Sequence, residues 1–110
     1  MNKIVGILKA ISDPTRIRIL MALIDRELCV CIITALLDLA PSTISKHLSI
    51  LRDAGIVTGR KDGKWTHFQL SENFKKRKHD PLVELVISKL SDDKIIKADR
   101  ERLGKILSGN

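Results

Sequence analysis

The 110-residue sequence has only two cysteines, Cys29 and Cys31, too few for a disulfide framework, so nothing in the thiol count points to secretion. It lacks any apolar run approaching the ~18 residues of a membrane span. The opening Met1-Asn2-Lys3, followed by a helix-like pattern with Lys9, lacks the layout of a signal peptide. There is no internal repeat and no low-complexity stretch. No catalytic base or thiol-activating constellation accompanies the cysteines, which argues against a Cys-x-Cys thiol oxidoreductase and against an enzyme generally. The expectation left standing is a cytoplasmic, non-enzymatic protein with no membrane partner.

What is present reads as one globular domain over residues 1–110, with 44% hydrophobic and 30% charged residues. The net charge of +7 is concentrated. Residues 1–40 carry five basic and four acidic side chains, and residues 80–110 carry six of each. Residues 41–79 carry nine basic against three acidic, and a central positive block of this kind is the footprint of a polyanion binder.

Helix punctuation is clear along the chain. Ile4, Leu8 and Ile11 form a stripe widened by Val5 and Ile7, predicting a short helix over 2–11. Ser12-Asp13-Pro14 supplies a cap and a first-turn proline for a second helix over about 14–24. A third helix is expected over 30–37, and a fourth from Pro41 to about Ala54, ended by Gly55. Residues 56–60 and 64–70 are rich in β-branched and aromatic residues around an Asp-Gly turn, which predicts a hairpin with Thr66, Phe68 and Leu70 facing the core. Residues 71–79 read as a polar connection, followed by helices over 81–90 and from about Asp93 to Leu107. The fold class is mainly α with a small β-hairpin: about six helices and a two-stranded wing.

Two helices joined by a tight turn at Asp38-Leu39-Ala40 make a helix-turn-helix, and the hairpin after it makes the unit a winged helix. The fourth helix fits the DNA major groove, and its Ser42, Thr43, Ser45, Lys46, His47, Ser49 and Arg52 can donate to base edges or phosphates. Arg60, Lys61 and Lys64 on the wing would lie along an adjacent backbone. His47 fits a DNA or packing contact better than a metal ligand, and Trp65 fits packing of the wing strand. His67 and His79 have no ligand partners at useful spacing, and Lys75 to Lys78 is most simply a solvated linker with phosphate contact as the alternative.

Four motifs fall in order: Ala10-Ile11-Ser12-Asp13-Pro14-Thr15-Arg16-Ile17-Arg18-Ile19-Leu20, Glu27-Leu28-Cys29-Val30-Cys31, Ser42 through Val57, and Gly63-Lys64-Trp65. Together they resemble the ArsR-type (arsenical-resistance repressor) family of winged-helix metalloregulators over about residues 5–72. The resemblance implies a homodimeric repressor that leaves operator DNA when a metal or metalloid binds. It implies that the helix from Ser42 to Arg52 reads DNA, and that Cys29 and Cys31 form an inducer site for arsenic(III) or antimony(III). Family members with the fullest metalloid site carry a third cysteine where this chain has Thr34.

Thiolates select soft, thiophilic ions. Residues at i and i+2 of an ideal helix project about 200° apart, so two cysteines there cannot grip one ion while the helix stays regular. Coordination is therefore expected to unwind the start of the third helix and misalign the DNA reader. The alternatives are a thiol-redox switch at the same residues, and a DNA-binding protein with no inducer. A zinc-type site on the helix over 82–90 is excluded because Glu84 is its lone ligand-type residue. The terminal helices, 1–11 and 81–107, carry more apolar surface than one intramolecular face can hide and are expected to contribute to dimerisation.

Overall fold

The capping residues written into the sequence set the order of the elements. The computed structural model describes residues 1–77 and 80–109. α1 (Asn2–Ala10) and α2 (Pro14–Ala22) precede a short strand β1 (Leu28–Cys29), which leads into α3 (Val30–Leu37) and α4 (Pro41–Asp53). The hairpin β2 (Val57–Asp62) and β3 (Trp65–Leu70) follows, then α5 (Glu72–Lys76), α6 (Pro81–Ser91) and α7 (Lys94–Leu107). Asp13 caps α2 by accepting a 3.0 Å hydrogen bond from Arg16 N–H, with Pro14 in the first turn. α4 ends in a Schellman motif: Gly55, at φ +77°, donates to Arg52 C=O and Ile56 donates to Leu51 C=O.

Two elements depart from expectation. The wing has three strands, in the order β1-β3-β2, because Leu28 and Cys29 pair with Phe68 and His67. The stretch after β3 is not wholly a connection. Ser71 caps α5, accepting from Phe74 N–H and donating to Gly55 C=O at 2.7 Å, and Phe74 is buried. The described residues therefore contain seven helices rather than about six.

The core gathers Leu20 and Leu23 of the α2 region, Ile33 and Leu36 of α3, and Ile44, Leu48 and Leu51 of α4, with Ile56 just before β2 and Val57 and Phe68 of the sheet. α7 lies on α2 and α3 through Ile96 and Leu103. Arg18 and Asp99 lock it with two 2.8 Å hydrogen bonds, and Arg102 donates to the Ala35 carbonyl at 3.1 Å. Asp99 holds the Arg18 guanidinium above its ordinary pKa by hydrogen bonding. Ile4, Val5 and Leu8 on α1, and Leu82 and Leu85 on α6, remain exposed. No helix among the described residues is long and apolar enough to cross a membrane.

Candidate nucleic-acid interface and thiol site

α4 buries Ile44, Leu48 and Leu51, so the residues between them must face outward or sideways. Ser42, Ser45, Lys46 and Arg52 are exposed, while Thr43, His47 and Ser49 are half-buried at the margins. His47 turns toward α2: its Nδ1 stands 3.2 Å from Arg16 Nη1 and 3.9 Å from Asp13 Oδ2. Arg16 itself donates to the Ala10 carbonyl at 2.6 Å, so one guanidinium ties α1, α2 and α4 together.

The hairpin turns at Gly63, φ +62°, and leaves Lys61 and Lys64 exposed at its tip. Lys64 Nζ lies 5.4 Å from the centre of the Trp65 ring, a cation–π contact. Trp65 is 51% exposed, which corrects its expected packing role: the strand alternation that turns Thr66, Phe68 and Leu70 differently leaves it on the tip. Arg60 is not a free cation. Its Nε and Nη2 hold both carboxylate oxygens of Glu27 at 2.6 to 3.0 Å. Hydrogen bonding to Arg60 pulls the Glu27 carboxyl below its ordinary range, and the same contact raises Arg60. Lys75 reaches Gln69 and Glu72, a local engagement, and Lys78 and His79 lie outside the described residues.

Cys29 and Cys31 overturn the helical-wheel argument. Cys29 is the last residue of β1 and the cap of α3, with extended backbone at φ −63°, ψ 144°; only Cys31 is inside the helix. An extended residue followed by a helical turn swings the first side chain back over the second. The two sulfurs are paired as a disulfide, with Cα atoms 5.2 Å apart and α3 regular throughout. Cys31 N–H also donates to the Cys29 sulfur at 3.2 Å. Two sulfurs thus converge without unwinding anything.

The pair opens into a cleft of about 700 Å³ between the start of α3, the outward face of α4 and the wing. Thr34, Ser45, Ser49, Arg52, Lys61 and Lys64 share its wall, above a floor of Leu48 and Phe68. Among the described residues no group of three or more His, Cys, Asp or Glu side chains is placed to hold a metal ion.

The profile of the family described as "Bacterial regulatory protein, arsR family" matches residues 13–58. The chain is 43% identical over 73 residues to the uncharacterised HTH-type transcriptional regulator MJ1325 of Methanocaldococcus jannaschii, a match spanning 66% of this chain and 82% of that one. The chain belongs to the ArsR family. The arsenical resistance operon repressor of Escherichia coli K12 is 41% identical over 68 residues, 61% of this chain and 58% of its own length. The ArsR-family arsenical-resistance repressors it matches are thus spanned over little more than half their length. Among solved structures, HlyU from Vibrio cholerae is similar at TM-score 0.66 and 33% identity, over 82% of this chain and 89% of that one. This ArsR-family chain accordingly has a winged helix-turn-helix fold, and its family and the Methanocaldococcus relative are described as regulators.

Of the residues singled out from this ArsR-family sequence, the structure brings Ser45, Ser49, Arg52, Lys61 and Lys64 to the same cleft as both cysteines. Ser42 and Lys46 are exposed elsewhere on α4, and Arg60 is diverted to Glu27. Sequence reasoning missed Glu27, Arg16 and Arg18, whose partners lie 31 to 81 residues away. The Arg16 and Arg18 spacing within a capped helix was visible, but nothing local marked which carboxylate or imidazole each would meet.

Proposed function

We propose that the chain is a metalloid-responsive repressor that binds operator DNA as a homodimer and lets it go when arsenic(III) or antimony(III) bridges Cys29 and Cys31. One observation carries the reading: the thiol pair and the cations Arg52, Lys61 and Lys64 line one cleft between the reading helix and the wing. The Escherichia coli relative's role as an arsenical resistance operon repressor supplies the choice of inducer. The exposed apolar residues of α1 and α6 suit a two-fold interface, which would set two reading helices on a palindromic site. A cytoplasmic location belongs to the same reading.

The chain's own residues supply the coupling. Cys29 sits in the strand hydrogen-bonded to β3 of the wing, and Cys31 sits on the first helix of the helix-turn-helix. A ligand gripping both sulfurs therefore pulls on both halves of the DNA reader and fills the space between them. By linkage, whatever the ligand costs DNA binding, DNA costs ligand binding. Loading requires the two sulfurs reduced and deprotonated. The helix start next to Cys29 favours that negative charge.

The direct pairing of the two sulfurs favours a second reading, in which oxidation to a Cys29–Cys31 disulfide is itself the signal. A DNA-binding titration at fixed salt, with arsenite, antimonite, cadmium, zinc and peroxide added separately to reduced protein, separates the two. Release by arsenite and antimonite, lost in Cys29→Ser and Cys31→Ser with DNA affinity kept, is the expected result. Release by peroxide alone selects the redox reading, and unchanged affinity with all five refutes both.

A further inference from the structure

We propose that the thiol cleft also takes a small thiol bearing carboxylates, whose sulfur completes a three-sulfur shell around the arsenic held by Cys29 and Cys31. This rests on the metalloid reading above. Trivalent arsenic forms three bonds, and Cys29 and Cys31 supply two. The position one turn beyond Cys31 is Thr34, which lines the cleft with a hydroxyl where a sulfur would be needed. No third ligand-type side chain joins the pair among the described residues. The third ligand would therefore have to come from outside the chain, and the cleft is the space that both cysteines line.

The cleft's chemistry says what fills it. Its volume of about 700 Å³ lies within the range of small-molecule sites. Besides the thiols, its ionisable lining is Arg52, Lys61 and Lys64, with no acidic side chain. None of these three cations is in an ion pair among the described residues: Arg52 touches only Ser49 Oγ, and Lys64 rests over Trp65. A thiol carrying two carboxylates matches that charge, and a neutral or cationic thiol does not. The cations that would meet DNA phosphates are then occupied, so the small thiol strengthens release as well as binding.

The bonding balances without any oxidant. Arsenite, As(OH)3, loses two hydroxides as water while two protein thiols give up their protons and form two As–S bonds. The small thiol then replaces the last hydroxide, forming a third As–S bond and a third water, with arsenic trivalent throughout.

The test uses reduced, DNA-free full chain kept reduced by a phosphine, titrated with arsenite alone, with glutathione, or with glutathione diethyl ester. The ester has the same sulfur but no free carboxylate, so competition for arsenite in free solution is matched between the two. Arsenite should bind about tenfold tighter with glutathione than with the ester, the product of two exposed ion pairs at about threefold each. X-ray absorption should count three sulfurs per arsenic with glutathione and two without. Lys61→Gln/Lys64→Gln should erase the preference for the acid over the ester. Equal affinity with acid and ester, or three sulfurs with no added thiol, overturns this proposal while leaving the metalloid site intact. Failure of arsenite to bind in any arm, or equal binding by Cys29→Ser/Cys31→Ser, overturns both.

Discussion

Replacing Lys61 and Lys64 by glutamine removes two exposed cations from the wing tip and leaves the hairpin turn at Gly63 and the pairing of β2 with β3 in place. Each phosphate neutralised by a protein cation contributes about −0.9 to the slope of log affinity against log salt. In the proposed homodimer, two cations on each of two protomers would touch four phosphates, so the variant's slope should be shallower by about 3.6. Raising salt fourfold, from about 50 to about 200 mM, should then cost the parent protein about 150-fold more affinity than the variant. Lys64 leaves the Trp65 ring to make its contact, which takes back about 0.5–1 kcal/mol per wing, so the loss of affinity at any one salt is smaller than the charge count alone suggests. Fluorescence anisotropy on a mixed-sequence duplex long enough for two half-sites measures the slope without knowledge of the operator. Lys94→Gln/Lys97→Gln, on α7 outside the positive block, serves as the control and should leave the slope unchanged. A wing variant with the parent's slope would refute the wing as a phosphate-binding element.

Three further outcomes follow from particular contacts. Asp99→Ala strands the Arg18 guanidinium, whose side chain is 26% exposed, so water relieves part of the loss. The expected cost is about 2 kcal/mol, below the 3–5 of a fully buried pair, read as a fall in Tm of roughly 8 °C at fixed protein concentration, and an unchanged Tm would show α7 to be undocked in solution. Glu27, held low by Arg60, keeps its charge and its grip on Arg60 above the ordinary carboxylate range and loses them only as pH falls through the depressed value. Arg60→Gln should move the Glu27 titration upward toward that ordinary range in a carboxyl NMR experiment, and no movement would dissociate the two residues. Gly59→Ala sets a Cβ 2.9 Å from the Phe68 ring, and because that ring is buried the wing should lose about 1–3 kcal/mol by chemical denaturation; wild-type stability would place the Phe68 ring elsewhere.

The reading unit was legible because its signals are local. Asp13-Pro14, Pro41 and Gly55 each act on backbone within a turn of themselves, and the structure places helix ends at all three. The alternation of Phe68 and Leu70 likewise needs only the two-residue period of a strand. What escaped was non-local. β1 is two residues long, too short to show a period, and exists because Phe68 and His67 offer it a ladder some 40 residues downstream. α5 escaped for a related reason: a single buried Phe74 among charged neighbours does not mark a helix until Ser71 is seen bridging to Gly55. The charge of Arg60 is visible in the sequence, and its bond to Glu27, 33 residues away, is not.

The thiol pair shows how one misplaced backbone residue changes a mechanism. With both cysteines on a regular helix, a ligand could hold them only by unwinding α3, and release would require melting part of the reader. With Cys29 extended and Cys31 helical, the sulfurs already meet and α3 keeps its hydrogen bonds. Under the proposed metalloid reading, the lever would then pass from the helix to the wing. β1 is paired with β3, β3 with β2, and the tip between β2 and β3 carries Lys61 and Lys64. A ligand that reorients Cys29 acts along this ladder, while its own bulk fills the cleft beside Arg52. The two routes differ in a measurable way. Unwinding the start of α3 would expose the amides of Ile33 and Thr34, the first with helical partners, to rapid hydrogen exchange on arsenite loading. Wing displacement would leave those protected and instead release the amides that join Leu28 and Cys29 to Phe68 and His67. Exchange confined to the first set would restore the helix-melting mechanism and remove the wing from the path of the signal.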